Sequence, residues 1–131
     1  MRVLGLGTDI VSVARVAATV GRTGGRFVQR VLTSNELQEY SARLSEVGEH
    51  GAHQYLAAQW AAKEAVYKAL GGESVVVWRD VEVLRAPSGA PTVTIPDDVV
   101  TDRGIDSVLI SLSHEESHAV ATAIVQGRRT A

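Results

Sequence analysis

Apolar positions at the start of the chain change from a continuous run to helical spacing. Residues Arg2 to Thr8 are mostly apolar and predict a short buried strand. From Val13 to Val20 apolar residues recur every three or four positions, which predicts a helix capped by Ser12 or Asp9. Two consecutive glycines, Gly24-Gly25, end this helix.

Helical spacing continues through the middle of the chain. The predicted helices lie around Phe27 to Leu32, from the capping-box pattern at Thr33 to Glu36 through about Leu44, and from His53 to Leu70. Val47 to Gly51 contains two glycines and predicts a loop between the last two helices. Gly71-Gly72 is typical of a C-terminal cap.

The remaining sequence alternates apolar and polar residues, as strands do. The predicted elements are a hairpin of Val75 to Arg85 with Thr92 to Ile95 around a turn at Ala86 to Gly89, a short helix or loop at Pro96 to Asp98, and two strands, Val108 to Ser113 and Ala119 to Val125. Helices followed by strands predict an α+β fold with a mainly antiparallel sheet. At 131 residues, we expect one domain over 1–131.

Composition narrows the cellular setting and the chemistry. The chain has no cysteine, which excludes a disulfide framework, a thiolate nucleophile and a zinc site built on sulfur. The apolar run Val3 to Gly7 meets Thr8 and Asp9 too early for an export signal. Ala119 to Val125 is far shorter than the ~20 residues that span a bilayer. We expect a soluble cytoplasmic protein with no membrane partner.

Charge is distributed unevenly, although the net charge is only −2. Residues 1–30 carry five arginines against one aspartate, 5 − 1 = +4, so the rest carries 8 − 14 = −6. This basic segment predicts either a solvated face or a docking surface for an acidic macromolecule or a phosphate-bearing ligand. Nucleic acid is disfavoured, because the segment lacks interleaved aromatic residues and the pI is about 6.1.

The glycines of the first strand form one candidate site. In Gly5-Leu6-Gly7-Thr8-Asp9, glycines beside a carboxylate allow backbone to approach a ligand closely. A dinucleotide-binding fingerprint requires glycine where Ile10 stands, so that interpretation fails. Asp9 taken alone is better explained as a helix cap.

A second candidate site lies on the longest predicted helix. Glu64 and Lys68 are one turn apart and share a face with the apolar residues Trp60, Ala61 and Ala65. The pair is either an exposed ion pair contributing ~0.2–0.5 kcal/mol or a site for phosphate chemistry. A hard cation needs carboxylate oxygens, and a lysine can neutralise phosphate or act as a base.

His114 to His118 matches the H-E-x-x-H pattern of zinc metalloproteases. That motif functions on a helix, where both imidazoles lie on one face. The flanking residues have the two-residue periodicity of strands instead. A zinc metallohydrolase using His114 and His118 is therefore kept as an alternative, which requires a helix across 110–122.

Several segments, taken in order, resemble one family, the holo-[acyl-carrier-protein] synthases. They are Gly5-Leu6-Gly7-Thr8-Asp9-Ile10-Val11, Arg30-Val31-Leu32-Thr33 with Glu36, Ala61-Ala62-Lys63-Glu64-Ala65, Lys68-Ala69-Leu70-Gly71, Asp80-Val81-Glu82-Val83, Gly89-Ala90-Pro91 and Ser111-Leu112-Ser113-His114. The resemblance covers nearly the whole chain. It departs from the family at Ala58-Gln59-Trp60, where a basic residue is missing, and at Gly71-Gly72-Glu73.

The resemblance implies a 4'-phosphopantetheinyl transferase. In this reaction a serine of the apo carrier protein attacks the β-phosphate of coenzyme A, 3',5'-ADP leaves, and the holo carrier supports fatty acid biosynthesis. Asp9 and Glu64 take the places of the magnesium ligands, and Lys68 that of a lysine which contacts phosphate or accepts the serine proton. Whether Lys68 or a metal-bound water is the base stays open.

The resemblance also assigns binding surfaces. It places Ser113 and His114 near the nucleotide end of coenzyme A and Gly71 in the same ligand region. Arg15, Arg22 and Arg26 would dock the acidic acyl carrier protein. It further implies a homotrimer with active sites between subunits. A non-catalytic module that binds an acidic protein through these arginines is the remaining alternative.

Overall fold

The computed structural model describes residues 1–72 and 76–128. In chain order its elements are β1 (Arg2–Ser12), α1 (Val13–Thr23), α2 (Gly25–Val31), α3 (Ser34–Ala69), a 3-10 turn (Trp78–Asp80), β2 (Glu82–Arg85), β3 (Pro91–Thr94), α4 (Asp97–Arg103), β4 (Ile105–His114) and β5 (His118–Gly127). Helices pack on antiparallel sheets, so the predicted α+β class is confirmed.

The larger sheet has the strand order β1-β5-β4, with antiparallel neighbours, and β2 and β3 form a separate hairpin. One face of the larger sheet packs against α3. Small residues make this approach close: Ala119, Ala121 and Ala123 on β5 are fully buried. On β1, a Cβ at Gly7 would lie only 2.0 Å from the carbonyl oxygen of Ala65. Glycine is required where strand and helix backbones touch.

The opposite face of this sheet carries exposed apolar residues on either side of a polar row formed by Thr8, Thr122 and Ser111. Leu6 and Ile10 on β1 are 64% and 65% exposed, and Leu109 and Val120 on β4 and β5 are also exposed. We refer to these four residues as the outer face. The predicted buried strand is therefore wrong in one respect, because β1 extends to Ser12 and is buried on its α3 side only.

Two segments differ from their predicted secondary structure. The segment Val47–Gly51 is helical, and α3 passes through it with a kink at Gly48, whose φ of 85° suits glycine. The predicted strand Val75–Arg85 is shorter in the structure, since Trp78–Asp80 form a 3-10 turn and only β2 is a strand. Val75 lies outside the described residues. Within 1–72 and 76–128, no helix combines the length and the apolarity needed to cross a membrane.

A buried ion pair joins the first turn of α3 to the C-terminal half of the same helix. Lys63 donates to the Oε1 atom of Glu36 over 2.5 Å, and neither side chain is exposed. The Oε2 atom of Glu36 accepts hydrogen bonds from Gln59 Nε2 and from the backbone N–H of Val83, both at 2.8 Å. Burial lowers the pKa of Lys63, and the Glu36 charge opposes that shift. These bonds fix the N-terminus of α3 against β2.

Candidate active site

Asp9 and Lys68 meet where β1 passes the last turns of α3. The ammonium of Lys68 lies 3.1 Å from Oδ1 of Asp9 and 2.9 Å from the carbonyl oxygen of Thr8. The Asp9 side chain is 20% exposed and that of Lys68 49% exposed. Asp9 does not cap α1, because the N-cap is Ser12, whose hydroxyl accepts from the N–H of Arg15.

Glu64 lies one turn before Lys68 but does not pair with it. No ion pair joins these two side chains, since the described partner of Lys68 is Asp9. One Glu64 oxygen, Oε1, accepts a hydrogen bond from the indole Nε1–H of Trp78 at 2.5 Å. Glu64 and Lys68 therefore do not form the exposed i,i+4 ion pair that their spacing allows. Both groups are directed at neighbouring elements, β1 and the 3-10 turn.

The donor set around Lys68 suits a hard cation whose remaining ligands come from a substrate. Over the described ranges, no three residues among His, Cys, Asp and Glu form a cluster that could hold a metal by themselves. Asp9 and Glu64 supply carboxylate oxygens only. Magnesium fits such a set, because it is bound by one or two carboxylates together with substrate phosphates and water.

His114 lies in a different part of the molecule. It faces the α3 side of β4 and lines a groove of about 970 Å³ together with His50, Arg43 and Arg85. Because β5 separates β1 from β4, Asp9 lies two strand spacings, about 10 Å, from Leu112, and His114 is two residues further along β4. Within one chain the structure therefore does not bring His114 to the Asp9 and Glu64 region.

Ser113 points away from that groove. It is opposite Val120, on the outer face of the sheet, whereas His114 is opposite the buried Ala119. Successive residues of a strand project to opposite faces, so one chain cannot present both side chains to a single ligand atom. Ser113 and His114 remain a prediction as a joint nucleotide site.

The helical zinc motif is absent. Residues 110–114 belong to β4 and 118–122 to β5, so the His114–His118 segment is a strand-turn-strand. His114 is opposite Ala119 and His118 is opposite Ser12, which places the two imidazoles on opposite faces of the sheet. The alternative of a zinc hydrolase using His114 and His118 is therefore wrong, since its helix is missing.

The arginines assigned to docking are exposed. Arg15 and Arg22 lie on α1, and Arg26 lies on α2. Next to Arg26, the ring of Phe27 contacts Trp60 at 5.1 Å between centroids and Trp78 at 6.5 Å. The basic helices thus reach the tryptophan that contacts Glu64.

Gly71 ends α3 in the predicted way. Its φ is 99°, its N–H donates to Lys68, and the N–H of Gly72 donates to Tyr67, which is the Schellman cap. Gly71 also lines a groove of about 440 Å³ with Lys68. Glu73, where the sequence departs from the family pattern, lies outside the described residues.

Three contributors were not predicted from the sequence. The sequence pattern places Trp78 in a strand, contains Lys63 only within a family motif, and marks Gln59 only by the absence of a positive charge. The structure uses Gln59 in the buried network, where its amide donates to Glu36 and to the carbonyl of Val83. The apolar setting of Lys63, one residue before Glu64, was the available signal for a buried charge.

The chain matches known proteins over almost its whole length. The model of the 4'-phosphopantetheinyl transferase superfamily matches residues 5–123. A holo-[acyl-carrier-protein] synthase of Desulforudis audaxviator is 45% identical over 129 residues, which cover 95% of this chain and 94% of that protein. One of Herminiimonas arsenicoxydans is 39% identical, covering 95% of this chain and 98% of that protein.

Solved structures agree with these sequence relatives. The holo-[acyl-carrier-protein] synthase of Neisseria meningitidis has a TM-score of 0.85 at 31% identity, covering 95% of this chain and 99% of that chain. The Helicobacter pylori enzyme, solved in complex with coenzyme A, has a TM-score of 0.79 at 28% identity, covering 92% and 99%. The chain belongs to the 4'-phosphopantetheinyl transferase superfamily, and within it to the holo-[acyl-carrier-protein] synthases.

Proposed function

We propose that this chain, acting as one domain over 1–131, transfers 4'-phosphopantetheine from coenzyme A to a serine of apo acyl carrier protein. The serine oxygen forms the new bond to the β-phosphorus, the pyrophosphate bond breaks, and 3',5'-ADP leaves. The observation that carries the proposal is the approach of Lys68 to Asp9, one helical turn from Glu64. Relatives named holo-[acyl-carrier-protein] synthase, one of them solved in complex with coenzyme A, support the same reaction.

Asp9 and Glu64 are the residues that would hold a magnesium ion. Their oxygen-only donor set, too small to enclose a metal by itself, leaves coordination positions for phosphate oxygens. When bound, the ion offsets the charge that develops on the transferring phosphoryl group.

Lys68 supplies a positive charge next to these carboxylates. Its half-exposed ammonium can reach a phosphate oxygen while remaining attached to β1 through Thr8 and Asp9. A neutral amine at this position would accept the serine proton, and an ammonium would stabilise phosphate charge. Either role places Lys68 in contact with the reacting groups.

The groove at His114 is our proposed site for the nucleotide end of coenzyme A. Arg43 and Arg85 line it with His114, a combination suited to phosphate. Ser113 and Gly71 are proposed neighbours of the same ligand. Since Asp9 and His114 are separated within one chain, the groove would serve the Asp9 site of another subunit.

A homotrimer would provide that arrangement and cover the outer face. Leu6 with Leu109, and Ile10 with Val120, are exposed apolar side chains on the side of the sheet away from α3. Exposed apolar patches of this kind mark protein interfaces. We propose that these residues pack against neighbouring subunits.

The acidic carrier protein would dock on Arg15, Arg22 and Arg26. These side chains are exposed on α1 and α2, and Phe27 links α2 to Trp78 beside Glu64. Docking there would deliver the carrier serine to the site. The proposal includes a cytoplasmic location and a role in fatty acid biosynthesis.

Release of 3',5'-ADP tests the proposal. We expect release only when coenzyme A, Mg²⁺ and apo carrier protein are all present, and none after chelation of the metal. Binding of the carrier without any release would indicate a non-catalytic module and contradict the transferase.

A further inference from the structure

Trp78 is the hydrogen-bonding partner of Glu64 in the structure. Its indole Nε1–H donates to Oε1 of the carboxylate. Among residues 1–72 and 76–128, no hydrogen bond or ion pair reaches the second oxygen, Oε2. An indole N–H is a donor only, so this contact distinguishes the two oxygens of Glu64.

The main chain of Trp78 is itself anchored by buried charge. The ammonium of Lys63 donates to the carbonyl oxygen of Trp78 at 3.0 Å while it is paired with Glu36 and bonded to the carbonyl of Val31. The side chains of Lys63 and Glu36 have no exposed surface. A short turn that would otherwise be held by few contacts is therefore tied to the core.

The indole ring of Trp78 is also packed. It lies edge-on to Trp60 at 5.9 Å and to Phe27 at 6.5 Å between centroids. Edge-to-face pairs of this kind restrict ring orientation. The anchored main chain and the packed ring of Trp78 thus fix the direction of its Nε1–H bond. That direction does not depend on the conformation of the Glu64 side chain.

We propose that Trp78 is a positioning residue for Glu64: its N–H occupies Oε1 and presents Oε2 for ligation of the cation. The inference rests on the proposed function, because it needs Glu64 as a metal ligand. Partners in the outer shell that orient a ligating carboxylate commonly change metal affinity by about 10–100-fold when removed. The Lys63–Glu36 pair contributes indirectly, because Lys63 donates to the main-chain carbonyl of Trp78.

The chain contains a matched control for this hydrogen bond. The Nε1 atom of Trp60 is buried and has no hydrogen-bond partner within the part of the chain described. Trp78→Phe removes an indole N–H that bonds Glu64, and Trp60→Phe removes one that bonds nothing. Both substitutions keep an aromatic ring in the same cluster, so packing losses are comparable.

The first test measures Mg²⁺ binding by calorimetry in the presence of coenzyme A and without carrier protein. We expect Trp78→Phe to weaken Mg²⁺ binding by about 10–100-fold, and Trp60→Phe to bind as wild type does. Equal affinities in all three proteins, or equal losses in both variants, would overturn the proposal. A wild type that releases no 3',5'-ADP would instead defeat the proposed function.

A second test keeps Trp78 in place and so does not depend on the folding of a Trp78 variant. With ¹⁵N-labelled tryptophan, the two indole signals are assigned through Trp60→Phe. Glu64→Gln removes the charge of the acceptor, so the Trp78 indole proton is expected to shift while that of Trp60 stays in place. An unmoved Trp78 signal would contradict the hydrogen bond on which the proposal stands.

Discussion

The ammonium of Lys68 donates to Oδ1 of Asp9 over 3.1 Å, although 59 residues separate them in the chain. The bond links β1 to the last turn of α3, where Gly5 and Gly7 let the two backbones touch. Glu64 lies one turn away on the same helix. Asp9 thus contacts Lys68, and Glu64 lies one helical turn before that lysine, a set of charges suited to phosphate chemistry.

Asp9→Asn is expected to lower the rate of phosphopantetheine transfer by at least about 100-fold, because the neutral amide cannot replace a carboxylate ligand. Stability should change by no more than about 1 kcal/mol, since the Lys68 pair is partly exposed. Transfer assays and urea unfolding measure the two effects. Asp106→Asn, at an exposed position on β4, is the control and should retain full activity. Full activity of Asp9→Asn would refute the role of Asp9.

Gly7→Ala is expected to destabilise the fold by about 1–3 kcal/mol or more. The added Cβ would lie 2.0 Å from the carbonyl oxygen of Ala65 and 2.8 Å from the backbone nitrogen of Ala69. Gly21→Ala is the control: nothing lies within 4 Å of its Cβ, and the change in α1 should stabilise by up to about 1 kcal/mol. Similar urea midpoints for the two variants would contradict the close strand–helix packing.

Glu36→Gln should reduce the free energy of unfolding by about 3–5 kcal/mol, because it leaves the Lys63 charge buried without a counterion. Glu39→Gln, which breaks the exposed pair with Arg43, should cost no more than about 1 kcal/mol. Chemical denaturation compares the two. If both variants lose the same small amount, the Glu36–Lys63 pair is not the buried contact that fixes the first turn of α3 in the core.

Ile10→Asp is expected to dissociate the oligomer and abolish transfer, since it introduces a charge into the outer face. Leu44→Asp is the control, because Leu44 is also an exposed apolar residue but lies on α3 and outside the His114 groove. Sedimentation velocity should show a trimer for wild type and for Leu44→Asp, and a monomer for Ile10→Asp. A monomeric wild type, or a trimeric Ile10→Asp, would rule out the outer face as the interface.

Tyr55 should make the fold sensitive to alkali. Burial, followed by the charges of Glu36 and Glu39, raises the pKa of Tyr55 well above its usual value of about 10. Above pH 10 the unfolded chain loses this proton while the folded chain keeps it, so stability falls as pH rises. Tyr55→Phe lacks that loss. Wild type should therefore lose more unfolding free energy than Tyr55→Phe between pH 9 and about 11, and parallel curves would contradict the shift.

The sequence predicted well where a signal is local. The capping box at Thr33 and Glu36 is present, with the Thr33 hydroxyl accepting from the Glu36 N–H and the Glu36 carboxylate accepting from the Thr33 N–H. Gly71 and Gly72 end α3 as expected. These features depend on residues a few positions apart.

The pattern of apolar and polar residues does not predict contacts between distant parts of the chain. Glu36 also binds Lys63, 27 residues away, and the N–H of Val83, 47 residues away, which no cap signal contains. The apparent partner of Lys68 by helical spacing was Glu64, but the glycine-lined approach of β1 supplies Asp9 instead. The pattern places Trp78 in a strand, because its apolar neighbours have the spacing of one.

Intact-mass spectrometry of apo acyl carrier protein, incubated with the chain, coenzyme A and Mg²⁺, tests the central claim most directly. Wild type should add one phosphopantetheine group per carrier, and Glu64→Gln, which removes the proposed ligand charge, should add none in the same time. An unchanged carrier mass with wild type, or equal loading by wild type and Glu64→Gln, would contradict a transferase built around Asp9 and Glu64.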